Sequence, residues 1–299
     1  MTIAVTGSMA FDYIMTFPGS FTEHILPDQL NNLSVSFLVD SMRRERGGTA
    51  GNIAYSLALL GQPALLMATI GQDGREYVQQ LTDCGVDTSG ALILEDEFTA
   101  SFFVSTDEHN RQIANFYPGA MGRSAEVTFK NQAYDKISVA VISPSSPDAM
   151  VQYVEECKAL NIKYVYDPSQ QLPRTDGETL RQCIDGASML TVNDYEFELV
   201  KNKTNLSQDD ITAMVEVLVV TRGEAGSTIF AEGETVHVSS ATPTKVLDPT
   251  GGGDAYRGGL LAGWHHGLSW LEAGQLGALA ATYAIEYFGT QQHSYTLEQ

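Results

Sequence analysis

The sequence predicts an α/β fold on a mostly parallel central sheet, with a small β-strand lid outside it. Three observations carry that prediction. Short apolar runs alternate with helical patterns along most of the 299 residues, as strands do when helices bury both faces of a sheet. Two excursions, at about residues 12–46 and 98–117, leave this rhythm for β-like alternation. A run of glycines near the C-terminus feeds directly into a helical pattern.

Residues 3–7 (IAVTG) read as a buried strand ending at a glycine. Residues 50–60 suit a helix stopped by Gly61, residues 64–69 a strand, and residues 73–83 a helix with Asp73 as its N-cap. Further apolar strands are expected at 138–143, 164–166, 189–192 and 217–221. Residues 12–46 show a partial period of two, as in 33–39 (LSVSFLV). Residues 98–117 read as a hairpin, TASFFVST and RQIANFY joined by DEHN. Both excursions are expected to pair into a lid, because strands outside a core sheet need a site to cover. A further hairpin is expected over 226–238 around Glu232-Gly233-Glu234, and two consecutive helices at 252–266 and 269–288.

The length allows one domain over residues 1–299, and 43% hydrophobic with 18% charged residues suits a globular enzyme. A net charge of −20 argues against a nucleic-acid binder and an anionic membrane surface. Cys84, Cys157 and Cys183 show no metal or disulfide spacing and read as free thiols. No signal peptide and no apolar run of about 18 residues is visible, so a reducing cytoplasm is expected.

The strongest local signal is Asp248-Pro-Thr-Gly-Gly-Gly-Asp254-Ala-Tyr-Arg-Gly-Gly259. Gly251, Gly252 and Gly253 let backbone N–H groups approach an anion at a helix start, where the dipole also favours negative charge. Asp254 then falls in the first turn, as an N-cap, a general base or a metal ligand. The spacing is neither GxxxxGK[ST] nor GxGxxG.

This segment resembles the C-terminal signature of the ribokinase-like (PfkB) family of carbohydrate and nucleoside kinases. The family's N-terminal signature is matched by Gly47-Gly48-Thr49-Ala50-Gly51-Asn52-Ile53-Ala54, followed by Gly61 and Gly71. Asn193-Asp194-Tyr195-Glu196 resembles its N-x-x-E element and Thr221-Arg222-Gly223 its nucleotide-site strand end, so the resemblance spans nearly the whole chain. Gly252 and Pro249 depart from the usual alanine and threonine. The nearest likeness is to bacterial and archaeal adenosine kinase-like nucleoside kinases, through Asp167–Pro173, Tyr256-Arg257 and Gly289-Thr290-Gln291.

The resemblance implies a three-layer ribokinase-like fold and an ATP- and Mg²⁺-dependent phosphotransferase. Asp254 would be the base, with Gly251, Gly252 and Gly253 as the anion hole. Asp12 and Asn52 would hold ribose hydroxyls beside Gly47 and Gly48. Asn193 and Glu196 would orient the hydrated metal, though as residues alone they read as a helix N-cap and an exposed first-turn acid. Thr221 and Gly223 would line the ATP site, and Asp248 and Thr250, with Gly289, a K⁺ site. Phe102, Phe116 and Tyr117 are candidates to stack on a base or to pack a sheet face. Arg257 reads as a phosphate ligand or the partner of a surface acid. Arg43, Arg44 and Arg46 read as a phosphosugar receptor or a solvated lid edge. The expected reaction converts adenosine to AMP. The alternatives are a kinase for ribose, fructose or fructose 6-phosphate, and a silent nucleotide- or nucleoside-binding regulator. The expected partners are ATP and a small nucleoside or sugar, and the expected state is a monomer or homodimer.

Overall fold

The computed structural model describes residues 1–25 and 34–296. The strands are β1 (Thr2–Thr6), β2 (Ala10–Thr16), β3 (Ser41–Gly47), β4 (Ala64–Met67), β5 (Thr69–Gly71), β6 (Leu92–Leu94), β7 (Ala100–Thr106), β8 (Gln112–Tyr117), β9 (Ile137–Ile142), β10 (Lys163–Tyr166), β11 (Met189–Asn193), β12 (Val217–Thr221), β13 (Ser227–Ala231) and β14 (Glu234–Val238). The helices are α1 (Phe21–His24), α2 (Thr49–Leu59), α3 (Arg75–Asp83), α4 (Pro147–Leu160), α5 (Gly177–Ile184), α6 (Asp194–Thr204), α7 (Gln208–Met214), α8 (Gly252–His265) and α9 (Trp270–Ile285).

Eight strands form the central sheet in the order β14-β13-β12-β11-β10-β9-β1-β4. Pairing is parallel from β4 to β12 and antiparallel in the terminal hairpin. Alternation along β1 shows how the layers arise. Ile3 and Val5 face the core shared with α2, α3, α8 and α9, while Ala4 faces the core shared with α4 to α7. Two cores on one sheet give three layers, and the parallel strands end together at one edge, where ligands of such sheets bind.

The lid is a separate four-stranded sheet in the order β3-β2-β7-β8. Both excursions supply it, β2 and β3 from the first and the hairpin β7–β8 from the second. The hairpin turn is locked by Asp107, whose carboxylate accepts from the backbone N–H of Phe21, His109 and Arg111. Burial opposes its ionisation, yet these hydrogen bonds win and hold the carboxyl down at about 2. The hairpin expected around Glu232–Glu234 is β13–β14, with Glu232 and Gly233 both at positive φ.

Two local expectations are corrected. Asp73 does not cap the helix at its start. Its carboxylate accepts from the N–H and the hydroxyl of Thr99, pinning the entry to β7, and α3 begins only at Arg75. The alternation at 33–39 does not make a strand over 34–39, and residue 33 lies outside the described residues. Phe37 instead packs edge-on against Phe17 and Phe21, so its period reflects a small aromatic cluster rather than a pleat. Cys157 and Cys183 are buried free thiols and Cys84 is partly buried. Among the described residues, no helix is long and apolar enough to cross a membrane.

Candidate active site

The glycine run enters α8 through Gly251, the N-cap residue, at φ 79° and ψ −6°. A Cβ there would meet Thr290 at 2.7 Å, so both conformation and space require glycine. Gly251 and Gly253 give their N–H to no backbone carbonyl among the described residues, whereas Gly252 makes a long bond of 3.3 Å to the Pro249 carbonyl. The structure thus leaves unpaired amides and a helix dipole at one spot, and Gly252 is their least available donor.

Asp254 sits in the first turn of α8 and is half-buried. It does not act as the N-cap, a place taken by Gly251. Asn52 Nδ2 donates to Asp254 Oδ2 at 2.8 Å. Burial pushes the Asp254 carboxyl above its ordinary value, Arg257 and the Asn52 hydrogen bond pull it back, and Glu196 adds to the rise. A carboxylate made more basic, in the helix turn that directly follows the glycine run, suits proton abstraction beside a phosphate.

Asn52 is committed on both sides. Its Oδ1 lies 2.7 Å from the Thr290 hydroxyl and 2.9 Å from Gln291 Nε2. Gln291 Nε2 also donates to the Tyr77 hydroxyl, which donates to the Gly47 carbonyl at 2.9 Å. Of the two hydroxyl-binding groups expected from sequence, Asn52 therefore holds Asp254 first, and its second amide N–H makes no hydrogen bond among the described residues. Gly48 begins α2 at φ 88°, where a Cβ would come within 2.5 Å of the Ser8 carbonyl. That close approach turns the chain from the lid strand into the helix bearing Asn52.

The lid contributes a lateral row. Glu45, Asp12, Phe102 and Phe116 are direct register partners on four neighbouring strands, and so they share one face. Burial, Asp248 and Glu45 push the Asp12 carboxyl up to about 6. Phe116 is 48% exposed, an uncovered ring on the edge strand. Tyr117, one residue on, belongs to the opposite face, and its hydroxyl donates to Glu97. The arginine cluster is likewise divided. Arg44 lies over the Phe11 ring at 4.4 Å, on the face away from Asp12, while Arg43 pairs with Glu45 at 3.8 Å and lies over Phe288. The three guanidinium groups do not converge on one anion.

At the strand ends, Asn193 and Glu196 form a reciprocal capping box on α6, and Ser169 donates to the second Glu196 oxygen. Thr221 closes β12, and Gly223 follows it at φ 54°. Asp248 accepts from the backbone N–H of Thr250 at 3.0 Å and of Gly289 at 3.2 Å. Arg257 pairs with Asp167, a wholly buried carboxylate rather than a surface acid. Burial pushes the Asp167 carboxyl up to about 7 even as Arg257 pulls it back.

Residues 4–297 match the model of the pfkB family of carbohydrate kinases. The chain belongs to that family. Membership makes it a phosphotransferase acting on a hydroxyl acceptor. Among solved structures, the chain is similar to the ligand-free nucleoside kinase of Burkholderia thailandensis at 42% identity and TM-score 0.89, covering 98% of this chain and 97% of that one. The inosine complex of the same Burkholderia enzyme matches at 41% identity and TM-score 0.87, covering 98% and 94%. The nucleoside kinase of Methanocaldococcus jannaschii is 29% identical over 97% of this chain and 92% of its own length. The three-layer α/β fold with its β lid is that of the family.

Sequence reasoning expected Asp254 and the glycine turn together at one helix start, and Asp12 just after the first strand. It did not pair Arg257 with Asp167, and it gave Thr290 and Gln291 no task. The one signal for the latter was the stretch Gly289-Thr290-Gln291, whose partners lie more than 200 residues away.

Proposed function

We propose that this chain is an ATP-dependent nucleoside kinase that phosphorylates the primary hydroxyl of a purine nucleoside, adenosine first among them. The observation that carries the choice of nucleoside over free sugar is the row Asp12–Phe102–Phe116 on one lid face. Neighbouring strands lie about 5 Å apart, so the row offers an acceptor for a ribose diol and, further out, two rings for a base. The names of the Burkholderia and Methanocaldococcus relatives, and the inosine bound to the former, support the same reading.

In this reading Asp254 accepts the hydroxyl proton while the acceptor oxygen attacks the γ-phosphorus in line, the bond from that phosphorus to the β–γ bridging oxygen breaks, and ADP leaves. Asn52 fixes the carboxylate toward that oxygen. The amides of Gly251 and Gly253, with the α8 dipole, meet the charge developing on the transferring group. Asp12 and the remaining Asn52 N–H orient the ribose, and Thr221 and Gly223 line the nucleotide. Mg²⁺, when bound, would offset the negative charge of the triphosphate. Among the described residues no group of three His, Cys, Asp or Glu side chains could cage a metal. Asn193 and Glu196, held in their capping box, would orient the ion's waters. Asp248 keeps lone pairs free beside Thr250 and Gly289 for K⁺, which replacing K⁺ by Na⁺ in the assay tests.

The test is ATP consumption with adenosine, inosine, guanosine, cytidine, ribose, fructose and fructose 6-phosphate. Turnover with purine nucleosides is expected. Turnover confined to a sugar or sugar phosphate would reject the nucleoside assignment.

A further inference from the structure

Arg257 lies one turn beyond Asp254 on α8 and is 13% exposed. Its guanidinium is divided in its contacts. Nη2 donates to Asp167 Oδ1 at 2.9 Å. Nε lies 2.7 Å from Asp167 Oδ2 and directs its N–H at the Thr191 hydroxyl, 3.4 Å away. Asp167 directly follows β10 at the ligand edge of the sheet and is 0% exposed. The third nitrogen, Nη1, faces the other way. It is 3.8 Å from Asp254 Oδ1, and a Cβ added to Gly253 would meet it at 3.0 Å. Nη1 makes no hydrogen bond among the described residues.

One edge of the guanidinium is thus anchored, and the opposite corner, with two N–H donors, is aimed at the anion-binding turn. Burying a carboxylate to hold an arginine is a poor way to gain stability, because desolvating both charges offsets their attraction. It is a good way to fix a planar cation in one orientation. The surroundings need such a cation: Asp254, Asp167 and Glu196 are all anionic neighbours of Arg257, and a triphosphate would add more negative charge.

We infer that Arg257 is a catalytic residue whose Nη1 corner binds the transferring phosphoryl group alongside the Gly251 and Gly253 amides, and that Asp167 is its positioning residue. The inference rests on the kinase reading above and assigns the contact that separates ATP from ADP.

The test compares wild type with Arg257→Met, Arg257→Lys and the double variant Asp167→Asn/Arg257→Met. The readouts are kcat with the accepted nucleoside, calorimetric Kd for ADP, for a non-hydrolysable ATP analogue and for the nucleoside, and the melting temperature. Arg257→Met is expected to lose about 100-fold or more in kcat, the scale for removing one transition-state donor. It should also lose the preference for the ATP analogue over ADP while keeping nucleoside affinity. Arg257→Lys should recover only part of kcat, since a point charge cannot hold both the Asp167 edge and the phosphoryl contact. The double variant leaves no uncompensated carboxylate at position 167, so it should melt above Arg257→Met and remain as slow. Recovery of wild-type kcat in the double variant would show that Arg257 only neutralises Asp167, and would overturn the inference. An unchanged preference for the analogue over ADP in Arg257→Met or in the double variant would do the same. If Arg257→Met does not fold, the double variant and Arg257→Lys carry the comparison. If wild type turns over no nucleoside, the nucleoside reading fails, and the analogue-to-ADP ratio still decides the role of Arg257.

Discussion

Asn52 and Asp254, 202 residues apart, are joined by a 2.8 Å hydrogen bond from the amide of one to the carboxylate of the other. That bond favours the ionised carboxylate, against the burial that raises it. Asn52→Ala should therefore move the acid limb of the kcat–pH profile upward and lower kcat by about ten-fold or more at neutral pH, the scale of a lost charge-assisted hydrogen bond. The profile is measured with saturating substrates. An unshifted limb with normal kcat would mean the contact has no bearing on the base.

Gln291 sets the direction of the network around Asn52. The Gly47 carbonyl and the Asp254 carboxylate can only accept, so the donors between them run outward from the Gln291 amide to Tyr77 and to Asn52. Gln291→Glu keeps the shape and removes both donors. It should destabilise the fold by about 1–3 kcal/mol, the cost of unsatisfied buried groups, and lower kcat by turning the Asn52 amide away from Asp254. Chemical denaturation and steady-state kinetics check both effects. A variant as stable and fast as wild type would contradict this network.

Asp12 carries a cost in stability for its task. Its carboxyl is raised to about 6 by burial and by Asp248 and Glu45. A raised carboxylate binds its proton more tightly folded than unfolded, so its contribution to stability falls as pH rises from the unfolded value near 4 through about 6. Asp12→Asn should stabilise the protein at pH 7–8 by about 1–3 kcal/mol, flatten the loss of stability across that window, and weaken nucleoside binding. Melting curves from pH 4 to 8 test the first two, and calorimetry the third. Lower stability at pH 8 would show that Asp12 holds the lid in place.

Phe116 offers an exposed ring in the Asp12 row. Phe116→Ala should raise KM for the nucleoside by about five-fold, the scale of one aromatic pair, and leave KM for ribose unchanged. Equal losses for both acceptors would remove this ring from base recognition.

The elements read most easily from sequence were those whose environment repeats along the chain. β1 and β12 are buried on both faces and show as the apolar runs 3–5 and 217–220, and the turn at Glu232-Gly233 carries two positive-φ residues. Asp73 was misassigned because an acid before a helix looks the same whether it caps that helix or binds Thr99 across the chain. In the site, the glycine turn and Asp254 were legible because their chemistry is local to α8. The Arg257–Asp167 pair, 90 residues apart, and the Gln291–Asn52 pair, 239 apart, were not. Such contacts follow from which strand ends and helix starts the topology brings together.

The measurement that bears most directly on the whole account is turnover by Asp254→Asn, together with its affinity for ATP and for the accepted nucleoside. The variant keeps the side chain's shape and removes only its basicity. Phosphorylation is expected to fall by about 100-fold or more, the contribution of a positioned general base, while both ligands still bind and the fold melts no lower than wild type. Turnover near the wild-type rate in a variant that binds both ligands would mean that Asp254 is not the base.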